Sequence, residues 1–167
     1  MAFSMYQAAA PAFLQILNNL SAILDKAEAH CTAKNIAPEA LLQFRLYPDM
    51  FPLVRQVQIA TDMSKGAMAR LAGVEVPSYA DTETGFADLK ARLAKTVDFI
   101  KSFKPEQLDG SETRTITLKL RTGERSFPGD VYLINYVFPN FYFHATTTYA
   151  ILRHCGVEIG KMDFLGG

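Results

Sequence analysis

The sequence predicts a mainly α-helical protein: a four-helix bundle with one small β-hairpin between the third and fourth helices. Three observations lead there. Apolar residues recur at steps of three and four along three long stretches. A later stretch switches to alternation of apolar and polar residues. The last long stretch, Pro139-Asn140-Phe141-Tyr142-Phe143-His144 and on to Gly156, is aromatic and almost uncharged, as a buried helix should be.

The first helix is expected over 4–34, where Phe13, Leu17, Leu20, Leu24, Ala27 and Cys31 share a face. Pro11 either kinks it or follows a separate first turn, and Asn35 and Pro38 mark its end. A short helix is expected over 38–46, then a turn at Tyr47-Pro48-Asp49. The second long helix starts near Asp49, its expected cap, and carries Leu53, Val57, Ala60, Met63, Ala67 and Leu71 to Gly73. An extended connector with Pro77 leads to the third helix, about Glu83 to Phe103, with Phe86, Leu89, Leu93, Thr96, Val97 and Ile100 inward. Lys90, Arg92, Lys95, Asp88 and Asp98 interleave there and read as a solvated face.

Over 113–127 the period becomes two: Ile116, Leu118 and Leu120 alternate with Thr115, Thr117 and Lys119. Thr122-Gly123 turns the chain into a second strand. The fourth helix is expected from Pro128–Asp130 to Cys155, bent at Pro139 and stopped by Gly156, with Val157 packing back.

The 167 residues, 49% hydrophobic, suit one domain over 1–167. Seventeen basic and seventeen acidic residues cancel, which argues against nucleic acid as a partner. No apolar run reaches spanning length and no secretory pattern opens the chain, so no membrane association is expected. Two cysteines without a CxxC spacing, Cys31 and Cys155, fit a cytoplasmic location. Phe141, Tyr142 and Phe143 span most of a helix circumference and cannot all face one core. An aromatic left outside suggests a homodimer.

His144 stands mid-helix on the expected inner side. It reads as a ligand or proton-moving group, or as a core histidine satisfied by Gln58, Asn140 or a tyrosine. Asn140 lies one turn earlier on the same face and could instead satisfy a carbonyl freed by Pro139. His154 and Cys155 are adjacent, so on a helix they diverge, and the last turn opposes a thiolate. His30 reads as a capping or solvated residue near a helix end, and Cys31 as packing.

The Pro139–His144 run, the Tyr149–Val157 and Gly160–Gly166 segments, Tyr47-Pro48-Asp49-Met50-Phe51-Pro52-Leu53 and the Pro11–Lys26 run together resemble an uncharacterised family of bacterial and fungal proteins. That family is similar to the DinB/YfiT-like superfamily of metalloenzymes. The resemblance implies a four-helix bundle of unusual connectivity with a divalent metal on three histidines, one from the second helix and two from the fourth. Some members are transferases or isomerases that use small thiols.

Carried onto this chain, the resemblance puts His144 at one ligand position, Asn140 at the second, and Gln58, or less favourably Gln56, at the third. It thus implies one imidazole and two amides. Amide oxygens are weak ligands for transition metals, so a divalent ion such as Zn or Ni would bind only weakly, on His144. The expected site comprises His144 as catalytic residue with Gln58, Asn140 and Tyr142 contacting an unknown small molecule. The function is either that of a transferase or isomerase, or of a non-catalytic binding or stress-associated protein that has lost the metal.

Overall fold

The computed structural model describes residues 3–167. Four long helices carry the fold: α1 (Met5–Lys34), α2 (Leu53–Ala72), α3 (Phe86–Lys101) and α4 (Phe138–His154). The described residues are thus mainly helical, with one two-stranded antiparallel sheet of β1 (Thr115–Leu120) and β2 (Gly123–Pro128) between α3 and α4.

Helix α1 opens on a capping box. Ser4 Oγ accepts from the Gln7 amide, and Gln7 Oε1 accepts from the Ser4 amide. Pro11 lies inside α1, which is one continuous helix. Three of the long helices end by one device. At Asn35, Gly73 and Gly156 the backbone turns left-handed (φ 54°, 72° and 86°), and the next amide reaches back to the last turn, as Val157 does to the Leu152 carbonyl. Val157 is buried, as expected from its sequence position.

Partner residues define the helix directions. Lys90 of α3 pairs with Asp25 and Glu28 of α1, and Ser21 of α1 faces Val97 of α3, so these helices run antiparallel. Gln56 of α2 meets His144, whereas Arg70 meets Tyr132 just ahead of α4, again antiparallel. Gln58 bonds Glu83 and Thr61 bonds Arg92, so α2 and α3 run parallel. A parallel pair needs a long return, supplied by residues 73–85, which carry no regular structure. Phe13 of α1 packs edge-on against Phe141 at the core's centre.

The hairpin follows its alternation. Ile116 and Leu118 are buried, while Thr115, Thr117 and Lys119 are exposed. Ile116 stands opposite Phe127, whose ring packs on Tyr132 and Tyr136 and joins the sheet to the bundle.

Several expectations are corrected. Asp49 does not cap α2. The helix begins at Leu53 after Pro52, with no side-chain cap. The short second helix covers only Pro38–Leu42. The fourth helix does not run uniformly from Pro128. A short turn, Gly129–Val131, is followed by a π-helical stretch, Tyr132–Val137, and α4 proper starts beside Pro139. A wider turn ahead of proline relieves the clash between its ring and the carbonyl one turn back. Arg92, expected on a solvated face, is buried.

Candidate functional site

The seam between α2 and α4 holds His144, which is 9% exposed. Its Nδ1 lies 2.7 Å from Gln56 Oε1. Gln56 is itself buried, and its Nε2 donates to the Phe51 carbonyl at 3.0 Å. That donation fixes which end of the amide faces the imidazole. An amide oxygen can only accept, so Nδ1 carries the proton and Nε2 carries a lone pair. Nε2 has no protein partner among the described residues. Among the described residues the one fully buried side-chain polar atom left unpaired is Ser111 Oγ, so His144 Nε2 retains contact with solvent.

Burial first, and then the positive charge of Arg55, push the His144 pKa down from 6.5 to about 4. The ring is therefore neutral at physiological pH. The helix around it is polar but self-satisfied: Thr147 Oγ1 donates to the Phe143 carbonyl and Thr148 Oγ1 to that of His144.

The structure assembles the expected site differently. Gln56, the less favoured of the two glutamines, is the residue that meets His144. Gln58 is also buried but accepts from Arg55 and donates to Glu83. Asn140 turns back to donate to the Tyr136 carbonyl at 2.6 Å, inside the π-helical stretch beside Pro139. Tyr142 packs on Phe138 and Phe141, and Phe138 in turn meets Phe13 of α1.

These residues do not fit a transition-metal centre of the three-imidazole kind. One imidazole is present, the Gln56 oxygen is occupied by Nδ1–H, and the Asn140 amide is engaged with backbone. Among the described residues no group of three His, Cys, Asp or Glu is placed to hold a metal.

A second polar assembly, missed by the sequence reading, lies between α2, α3 and the return segment 73–85. Arg92 Nε donates to Thr61 Oγ1 at 2.7 Å, Nη1 to Glu83 at 2.9 Å and to the Ala80 carbonyl, and Nη2 to Asp62 at 3.0 Å. Asp81 adds a contact at 3.1 Å. The ammonium groups of Lys65 and Lys95 both lie over the Tyr79 ring, 3.8 and 4.2 Å from its centre. Burial would raise the Glu83 pKa, but hydrogen bonds from Arg92 and Gln58 outweigh it and hold the carboxyl below its ordinary value. A cleft of about 610 Å³ opens here between Tyr79, Thr82, Asp88 and Lys95, away from His144. One signal in the sequence pointed to it: Arg92 sits three residues after Leu89 and four before Thr96, on the inner stripe of α3.

The remaining candidates are unremarkable. His154 packs on Phe44 at 5.4 Å, and His30 faces Gly156. Cys31 and Cys155 are free thiols, and burial raises the pKa of both.

No helix among the described residues is long and apolar enough to cross a membrane. No curated protein matches the chain. The crystal structure of a DinB family member protein from Shewanella denitrificans is similar to it, with a TM-score of 0.92 and 40% identity over 98% of this chain and 92% of that one. The family model described as "Domain of unknown function (DUF1993)" matches residues 5–165. On that match and that likeness, the chain belongs to the DUF1993 family and has a DinB-like fold.

Proposed function

We propose that this protein binds a small molecule at the α2–α4 seam through the His144 Nε2 lone pair, without a tightly held metal. One observation carries the reading: Gln56, pinned between the Phe51 carbonyl and Nδ1, presets the imidazole as a neutral acceptor aimed away from its anchor. Such a ring accepts a hydrogen bond from a ligand O–H, N–H or S–H. As a catalytic base at neutral pH it is weak, because its pKa is about 4. The binding role therefore comes before the transferase or isomerase role, in which His144 would take a proton from the same donor. Asn140 and Gln58 support the seam from their own bonds rather than as ligand contacts.

Long-range proton–nitrogen NMR of the imidazole in the free protein at pH 7 tests this reading. The expected result is a proton on Nδ1, with no rise in melting temperature on adding Zn or Ni salts. A proton on Nε2, or a stoichiometric transition metal in the purified protein, overturns it. Thermal-shift screening with small thiols separates the enzyme form from the binding form only by the ligand it finds.

Homodimerisation and a cytoplasmic location belong to the same reading. Exposed Ile134 and Tyr142, flanking Phe138, support an apolar contact face, and the free thiols support a reducing compartment. Light scattering at micromolar concentration should give twice the monomer mass. A monomer mass removes the dimer.

A further inference from the structure

Arg55 lies at the join of the two polar assemblies. It neighbours Gln56 in sequence, and its guanidinium sits 5.9 Å from the ring centre of Phe51, the residue whose carbonyl anchors Gln56. Only its Nη1 is used, on Gln58 at 3.1 Å and on Asp81. Nη2 and Nε make no side-chain bond among the described residues. Both partners of Nη1 hold a second bond: Gln58 to Glu83, and Asp81 to Arg92. Asp81 therefore keeps a cation when Arg55 turns away from it, while the Gln58 oxygen, whose donor is Arg55, holds the guanidinium at the seam. Asp81 is 42% exposed, so its pairing with Arg55 is of the weak, exchangeable kind.

Apolar surface flanks the same place. Phe51 and Phe143 are 54% and 56% exposed, and the Phe143 ring stands edge-on to the His144 ring at 5.2 Å. The half-free guanidinium lies by the Phe51 ring, the Phe143 ring by the neutral acceptor, and the Arg55 charge reaches the imidazole, so the four groups form one connected run. Each asks for a different group on a ligand: a hydrogen-bond donor, an anion and a flat or apolar body.

Resting on the reading of His144 as an acceptor, we infer that the seam takes an amphipathic anion, an aryl or acyl carboxylate bearing a hydroxyl or N–H donor, and that Arg55 holds its anionic end by exchanging away from Asp81. No bond is made or broken in this step beyond the exchange of ion-pair partners.

The probe is 3-phenyllactate, which carries ring, hydroxyl and carboxylate. Its control is 3-phenylpropane-1,2-diol, which keeps the ring and hydroxyl and lacks the charge. Binding is followed by NMR on the His144 imidazole signals, assigned by their absence in His144→Asn. Phenyllactate should shift those signals, and the diol should bind at least about tenfold more weakly, as loss of a charge-assisted bond implies. Arg55→Gln should reduce phenyllactate to the level of the diol. Asp81→Asn, which removes the competing carboxylate, should tighten phenyllactate and leave the diol unchanged.

Equal affinity for the two probes, or unaltered phenyllactate binding in Arg55→Gln, overturns the ligand class. So does weaker binding in Asp81→Asn. If neither probe moves the His144 signals the inference falls as well. The acceptor reading falls with it only where the free imidazole carries its proton on Nε2.

Discussion

The two polar assemblies on α2 face opposite neighbours and are built on opposite principles. Toward α3, Arg92 is 2% exposed at its side chain and surrounded by Thr61, Asp62, Asp81 and Glu83, with each carboxylate held by a cation. Toward α4, His144 has one side-chain bond among the described residues, through Nδ1, and an acceptor at Nε2 without a protein partner there. The first is fully paired, with a cleft beside it, and ties the return segment 73–85 to two helices. The second is anchored on one side and open on the other. Buried charge is tolerable only when fully paired, whereas a neutral acceptor can stay half-used at modest cost. A chain that keeps both on one helix separates the part that holds the fold from the part free to meet a ligand.

The comparison breaks most readily at Arg92. Arg92→Leu removes the one guanidinium that three carboxylates share, and breaking a buried pair from one side costs about 3–5 kcal/mol. Urea unfolding should show that loss with an unchanged slope. A change under about 1 kcal/mol would mean the assembly is solvated and the contrast with His144 is not real.

Acid should take the two assemblies apart in separate windows. The His144 pKa is depressed in the folded state, from 6.5 to about 4. Between those values the unfolded chain binds the proton and the folded chain does not. Its contribution is therefore full above pH 6.5 and is lost as pH falls toward 4, on the order of 3 kcal/mol in total. Glu83 is also depressed, from 4.5, so its contribution is present above 4.5 and is lost only as pH falls further through its folded value. Stability against pH should thus fall in two steps, and His144→Asn should abolish the upper one. A single step in the carboxylate range would show that the imidazole is not desolvated.

How far the sequence disclosed these regions follows from the kind of force involved. The helices were legible because apolar periodicity reports burial of a whole face: Leu89, Leu93, Thr96 and Ile100 are all buried. The hairpin was legible for the same reason at period two. Arg92 was not, because its charge suggested solvent and its partners Asp62, Asp81 and Glu83 lie on other elements, joined only by the parallel packing of α2 and α3. His144 was legible as an inward residue, but its partner was not. Gln56 and Gln58 are both buried, and the Phe51 carbonyl, a backbone group with no signature in side-chain pattern, selects between them. The π-helical stretch before Pro139 was equally hidden, since proline signals a disturbance without saying whether the backbone bends or widens.

Gln56 sharpens the contrast at a smaller scale. Gln56→Leu leaves Nδ1–H buried without a partner, at a cost of about 1–3 kcal/mol. It should also let the imidazole proton populate Nε2, visible by nitrogen NMR, because nothing else fixes the tautomer. Gln58→Leu removes a bond to Glu83 and one to Arg55, and should leave the tautomer as it is. If the two variants have the same effect on the ring, the anchor has been misassigned.

The smallest effect tests whether the two assemblies sense one another. Arg55 is the link: it pairs with Asp81, which also touches Arg92, and its charge is the lesser of the two causes that depress the His144 pKa. Arg55→Gln should therefore raise that pKa while leaving it below 6.5, because burial, the larger cause, remains. Asp81→Asn should move it the other way, since a guanidinium relieved of its carboxylate acts on the ring less shielded. Stability should change by less than about 1 kcal/mol in either variant, both side chains being over a third exposed. Proton NMR titration of the His144 ring reads both shifts. Opposite displacements join the fully paired assembly to the half-used one through a single side chain, and an anion that occupies Arg55 should mimic Arg55→Gln. Displacements of the same sign would leave the assemblies independent, adjacent on α2 and nothing more.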